Sequence, residues 1–413
     1  MRKLAIGSML IALAVGMETG AADWPQFLGP ERNGVYTGPE LSESWDSSGP
    51  PVAWSRDVGA GLSGPVIVDG RVVLFHRVRN REIVEAFDRE KGASLWQYGY
   101  PTNYRDDFGF DEGPRAVPVV ADGTVYTFGA QGQLHAVDLE SGEGVWSEDT
   151  MRRFRVPKGF FGAAGSPLVE DGRVIANIGG RDAGIVAFEA KTGEVLWRAT
   201  RDGASYSSPV GVTISDRRYA IFFTRNGLVG LDPQTGDVVF ERRWRSRSAS
   251  SVNAASPVVI DDRIFVSAEY GPGAGVLRWD GRRLNELWSS NDVLSNHYST
   301  SVYRDGYLYG YHGRQEFGPS LRAVEFETGK VAWSVERFLA GSIVLAGNRL
   351  LLVREGGELI LAEASPDAFT PIARARILPA TVRAYPALSD GFLYVRNDDT
   401  LIALDLRRPG RRE

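Results

Sequence analysis

Ala86-Phe87-Asp88-Arg89-Glu90-Lys91-Gly92-Ala93-Ser94-Leu95-Trp96 is the stretch on which the fold turns. Its skeleton, Ala-x-Asp-x-x-x-Gly-x-x-x-Trp, returns as Ala136-x-Asp138, Gly142, Trp146, and as Ala187-x-Glu189, Gly193, Trp197. It returns again as Gly230-x-Asp232, Gly236, Phe240, and as Ala323-x-Glu325, Gly329, Trp333. A degenerate copy ends at Trp288, a weaker one lies near 361–371, and Ala403-Leu404-Asp405 is cut short. Upstream of the copies stands a short apolar run closed by Asp-Gly, as in Pro65 to Gly70, Pro118 to Gly123, Pro167 to Gly172 and Pro386 to Gly391. Eight such runs recur with a period of about 46 residues, the length of a four-stranded propeller blade.

Each unit reads as four strands. In the second they are 116–120, 125–129, 134–138 and 145–148, with Asp122-Gly123 and Ser141-Gly142 as hairpin turns, because glycine accepts the positive φ that such turns need. The spacing predicts an all-β chain with almost no helix. The eighth unit lacks a tryptophan strand, whereas Pro51-Val52-Ala53-Trp54-Ser55-Arg56 is a lone one ahead of the first unit. Pairing 51–57 with 400–406 closes the ring and removes an open sheet edge.

The rest of the composition narrows the function. The 413 residues are 43% hydrophobic and 24% charged, with a net charge of −5, which gives no general case for nucleic-acid binding. The absence of cysteine excludes disulfides, thiolate metal sites and a cysteine nucleophile. Arg2 and Lys3, the apolar run 4–15 and Gly20-Ala21-Ala22 read as a cleaved secretory signal over 1–22, so the protein is expected to be periplasmic or secreted. Residues 23–50 are expected to pack on the side or base of the propeller formed by 51–413. His76, His135, His297 and His312 lie in different units without metal-ligand spacing, and neither a Gly-x-Ser-x-Gly elbow nor a Walker loop is present.

The docking phrase resembles the tryptophan repeat of the pyrroloquinoline quinone (PQQ) family of eight-bladed propellers. That family holds periplasmic quinoprotein alcohol dehydrogenases and non-enzymatic relatives such as the outer-membrane assembly lipoprotein BamB. The resemblance covers about Trp54 to Leu406 and implies that Trp54, Trp96, Trp146, Trp197, Trp288 and Trp333 pack between blades. For the dehydrogenases it implies PQQ beneath adjacent cysteines, a calcium ion and an aspartate base. The cysteines are missing here, and no position matches the metal-ligand or base motifs. No cofactor or metal is therefore expected, with PQQ and calcium kept only for an alternative oxidoreductase reading.

Topology divides the faces. With the innermost strand of each blade starting at the top, the turns between second and third strands share that face with the connections between blades. There the sequence gathers Arg115, Tyr206, Asn253, His297, Tyr298, Arg314, Arg354, Arg383, Tyr385 and Arg396. Only five of the 47 basic residues are lysine, and the arginine fork suits carboxylates and phosphates. Two readings stand open: arginines paired with local acids, or a face for an envelope protein or an anionic ligand. The long connection 98–115, with Tyr104, Arg105, Asp106, Asp107 and Asp111, is expected to fold over the channel mouth as a lid or a recognition loop. Its acidic run fails the spacing of a calcium loop and reads as solvated. The chain is expected to be a monomer that serves as a non-catalytic binding or assembly platform.

Overall fold

The structure, a computed structural model, describes residues 23–46, 48–248 and 252–408; the expected signal over 1–22 lies outside them. Eight antiparallel sheets follow one another around a ring. Blade one is Val66–Val68, Arg71–Val78, Arg81–Asp88 and Ser94–Pro101. Blades two to seven span 119–149, 168–199, 210–243, 258–290, 302–335 and 341–376. Blade eight takes Ala387–Ser389, Phe392–Arg396 and Thr400–Asp405 from the end of the chain and Val52–Asp57 from its beginning. Trp54 pairs with Ala403 and Asp57 with Thr400, so the ring closes as the repeat arithmetic requires. One five-residue helix, Thr150–Phe154, is the sole α-helix among the described residues.

The middle strands of each blade are buried on both faces because every sheet is sandwiched between two others, whereas the outermost strands alternate. The Asp-Gly turns take the mirror-type conformation expected of tight hairpins. Asp69, Asp122, Asp171 and Asp390 all have φ between 45° and 48°, each followed by a glycine near 70°. Six indoles (Trp54, Trp96, Trp146, Trp197, Trp288 and Trp333) each donate Nε1–H to a backbone carbonyl of the next blade. At the joint between blades four and five the repeat has Phe240 instead. There Trp279 reaches back from the neighbouring blade, its ring 4.7 Å from that of Phe240.

Residues 23–36 take a path different from the expected one. They thread the channel inside the ring instead of lying on its side or base. Trp24 exchanges backbone hydrogen bonds with Ile67 of blade one, and Val120 of blade two donates to the carbonyl of Pro25. Arg32 donates to the carbonyls of Pro167 and Pro209 at the innermost strands of blades three and four. Val35–Tyr36 then adds a fifth, parallel strand to blade seven. The physical reason is the innermost strand itself, whose free edge leaves N–H and C=O groups facing the channel. This segment satisfies part of that edge while burying Trp24, Leu28 and Tyr36.

Candidate functional site: the stoppered channel mouth

Above the threaded segment the channel opens into a cavity of about 550 Å3, with Phe27 in its floor. The ring of Phe27 meets Tyr385 edge-on at 4.9 Å. The residues just before the innermost strands form the wall. Arg115, Tyr206, His297, Tyr298, Arg383 and Tyr385 all line the cavity, and Arg314 joins them from a turn of blade six.

Each wall residue is held by its neighbours. Arg383 Nε and the Tyr298 hydroxyl both donate to Glu355 Oε1 at 2.7 Å. His297 Nδ1 accepts from the Gln315 amide at 3.5 Å, which leaves Nε2, 3.1 Å from the Tyr270 hydroxyl, as the protonated nitrogen. Burial lowers the basicity of His297. The buried Tyr385 hydroxyl accepts from the Thr300 amide at 2.5 Å, and burial pushes its pKa up to about 12. Arg314 lies 4.7 Å over Tyr270 and 5.0 Å over Phe317, a cation–π stacking.

The structure does not bring Asn253, Arg354 or Arg396 to this cavity. Asn253 is buried, its amide donating to the carbonyls of Thr224 and Trp244. Arg354 pairs with Glu358 at 2.6 Å, beside Phe338. Arg396 is 1% exposed and donates to the carbonyls of Asn397, Asp398 and Gly59, tying blade eight to the chain that enters blade one. A turn position alone could not distinguish these inward-pointing side chains from outward ones.

Of the stretch 98–115, residues to Pro101 belong to the outer strand of blade one and 102–115 folds over the mouth with its charges paired. The Asp106 side chain is buried instead of solvated: one oxygen accepts from the Phe110 amide at 2.6 Å and the other faces Arg115 at 3.4 Å. Asp111 accepts from the amides of Gly113 and Gly61. Arg105 pairs with Glu112, Asp107 with Lys158, and the buried Tyr104 sits under Arg115. What the loop presents outward is aromatic. Phe108 and Phe110 are 54% and 56% exposed, and Phe108 packs on Phe160 and Phe161 of the next connection. Phe317, 76% exposed, stands in blade six. Sequence reasoning missed Phe27, Tyr270 and Phe317. An aromatic beside arginine in a top-face turn, as at Arg314 to Phe317, was the available signal for the last.

The residues do not fit a calcium-bound quinone. Calcium takes six to eight oxygen donors, and Glu316 is the one carboxylate among the described lining residues, where Arg314 holds it at 3.2 Å. No group of three or more His, Asp or Glu among the described residues is arranged to hold a metal.

Eight blades around a stoppered channel, five of their joints made by an indole seated on a glycine turn, define a PQQ-repeat propeller. The family model described as outer membrane protein assembly factor BamB matches residues 79–335, and the chain belongs to that family. BamB of Yersinia pestis is 21% identical over 285 residues, covering 66% of this chain and 69% of that protein. Quinohemoprotein alcohol dehydrogenase ADH-IIG of Pseudomonas putida is 31% identical over 157 residues, 36% of this chain; the match spans only 21% of the enzyme's length. The crystal structure of quinohemoprotein alcohol dehydrogenase from Comamonas testosteroni superposes with a TM-score of 0.66 at 17% identity, covering 95% of this chain and 82% of that one.

Proposed function

We propose that this protein is a non-catalytic platform of the cell envelope that binds another envelope protein at its channel mouth. The observation that carries the reading is the composition of the rim. Exposed Phe108, Phe110 and Phe317 stand around a pit walled by arginine and tyrosine, and aromatic and arginine anchors of this kind dominate protein interfaces. Membership of the BamB family supports a partner in outer-membrane assembly. No helix among the described residues is long and apolar enough to cross a membrane, which is consistent with a peripheral platform.

Chemical cross-linking in the native envelope tests the proposal. The wild type is compared with a variant carrying Phe110→Ala, Arg314→Glu and Phe317→Ala, all at partly or largely exposed positions. The expected result is a cross-linked partner that the variant loses while its melting temperature is kept. An unchanged set of partners would overturn the mouth as the binding face. Stoichiometric binding of PQQ with calcium, together with dye-linked alcohol oxidation, would overturn the non-catalytic assignment.

A further inference from the structure

Beside the mouth, separated from it by Phe160 and Tyr206, lies a second cavity of about 490 Å3 between the connections of blades two to five. Four cations converge on it from four different parts of the chain. Lys158 comes from the connection into blade three and Arg201 from the connection into blade four. Arg225 comes from a turn inside blade four and Arg245 from the connection into blade five. No described residue lining the cavity is a carboxylate, in a protein whose net charge is −5.

The acids nearby are engaged elsewhere or weakly held. Asp202 accepts from Thr224 Oγ1 and Asn226 Nδ2, both at 2.6 Å. Asn226 in turn accepts from Arg245 Nη1 at 2.9 Å, which fixes that guanidinium at the cavity wall. Arg201 meets Asp182 in a pair whose side chains are both mostly exposed, and Lys158 meets Asp107 at the surface. Exposed pairs of this sort are weak and exchange readily for a better anion. The Arg225 guanidinium sits 5.7 Å over the Phe160 ring. Burial, and to a lesser degree the charge of Arg245, makes Arg225 less basic than usual, so two like charges are held near one another at the cavity. The Tyr206 hydroxyl accepts from the Phe161 amide, which leaves its own proton to donate.

From this convergence we infer that the second cavity is a binding site for an oxyanion ligand, one that carries carboxylates or a phosphate. Guanidinium groups bind such anions through charge-assisted N–H···O bonds, and the cavity gathers three of them beside Lys158. Carboxylates of an acidic peptide and free phosphate share this chemistry. The inference does not depend on the partner proposed for the mouth.

Calorimetric titration of the full chain at low ionic strength tests it, with tetraglutamate in one arm and inorganic phosphate in the other. Tighter binding of tetraglutamate identifies an acidic peptide segment, and tighter binding of phosphate identifies the free ion. In either case Arg225→Gln and Arg245→Gln should each weaken binding about tenfold, the loss expected for one charged hydrogen-bonding partner. Arg201→Gln, at a largely exposed position that folding does not need, should weaken it severalfold. Arg263→Gln, on the opposite face, should leave it unchanged. Absence of saturable binding by either probe at millimolar concentration, or equal affinity in wild type and Arg201→Gln, would overturn the site. The Phe110, Arg314 and Phe317 variant should bind both probes normally, so failure of one proposal is distinguishable from failure of the other.

Discussion

The indole of Trp54 lies flat on the Gly92 turn: its Nε1 donates to the Arg89 carbonyl at 2.8 Å, and a Cβ added at Gly92 would stand 2.6 Å from its ring. The contact joins the strand that completes blade eight to blade one. Gly92 also has φ of 62°, so a backbone cost and a packing cost act there together. Gly123, with φ of 72° and nothing within 4 Å of an added Cβ, carries only the backbone cost. Gly123→Ala should therefore lose about 1 kcal/mol. Gly92→Ala should lose a further 1–3 kcal/mol, roughly, from the ring clash. Urea denaturation of the two variants checks this, and equal losses would show that the indole is not seated on the turn.

Closure makes a second prediction. Arg89 pairs with Asp390 across the same seam at 2.7 Å, and Thr400–Asp405 finds its outer neighbour in Val52–Asp57. A chain beginning after Arg56 leaves the Thr400–Asp405 strand with a bare edge and uncovers the indole site on blade one. It should aggregate on expression. Adding a synthetic peptide of residues 23–57 should restore solubility. A soluble truncated chain with an unchanged melting temperature would refute closure.

The threaded segment is a structural member, and Arg32 is its main fastening. The guanidinium is buried, its basicity lowered to about 9 by burial, yet it reaches Gln26 Oε1 and the Pro167 and Pro209 carbonyls. Arg32→Met keeps the bulk and removes the donors. Leaving two buried carbonyls unpaired should cost about 2–4 kcal/mol, read as a shift of the urea midpoint. A variant as stable as the wild type would mean that water replaces the guanidinium.

How much of this was legible before the structure differs by scale. The ring, its eight units, its closure and the indole docking followed from the repeat, because each unit states the same local solution in turn residues and apolar alternation. The channel stopper was not legible. Trp24 to Arg32 carries no period, and its partners are backbone groups of four different blades, which no side-chain pattern announces. The mouth was legible by position, since the residues before the innermost strands face the axis, with Asn253 the exception, turned to the carbonyls of Thr224 and Trp244. Arg354 and Arg396 show where that logic ends: their turns were placed on the correct face, but whether an arginine points to solvent or into a nest of carbonyls depends on loops the sequence does not describe. The acidic lid misled for the same reason, since Asp106 finds its arginine only after the loop has folded back.

His135 should set an acid-side slope in stability. Its ring stacks on Tyr100 at 3.9 Å, Nδ1 faces the Tyr98 hydroxyl at 3.0 Å, and Nε2 is buried without a partner. Burial lowers its pKa from 6.5 to about 4. The unfolded chain binds the proton more readily, so the stabilising contribution is complete above pH 6.5 and is lost as the pH falls toward 4. The loss amounts to about 3 kcal/mol. Glu82, which accepts from Tyr100 beside this histidine, has its pKa raised by burial and opposes the slope. The difference between wild type and His135→Gln isolates the histidine. The variant should be flatter between pH 6.5 and 4 in equilibrium urea denaturation, and parallel profiles would remove His135 as the cause.

Arg77 should control the lid. A single nitrogen, Nη1, donates to the carbonyls of Tyr104 and Glu112, both at 2.8 Å, and so pins the two ends of the loop that carries Phe108 and Phe110. Its Nε donates to the Arg79 carbonyl, which anchors the guanidinium to blade one. Arg77→Gln cannot span both carbonyls, so the ends should part and the backbone of 104–112 should open to solvent. Arg105→Gln is the control, because Arg105 is exposed and its pair with Glu112 adds about 0–1 kcal/mol. Limited proteolysis distinguishes them. Cleavage within 104–112 should be on the order of tenfold faster in Arg77→Gln, the factor for losing about 1.4 kcal/mol of local closing free energy, and near the wild-type rate in Arg105→Gln. Equal rates in the two variants would mean that the aromatic stack of Phe108 on Phe160 and Phe161, not the arginine, holds the loop down.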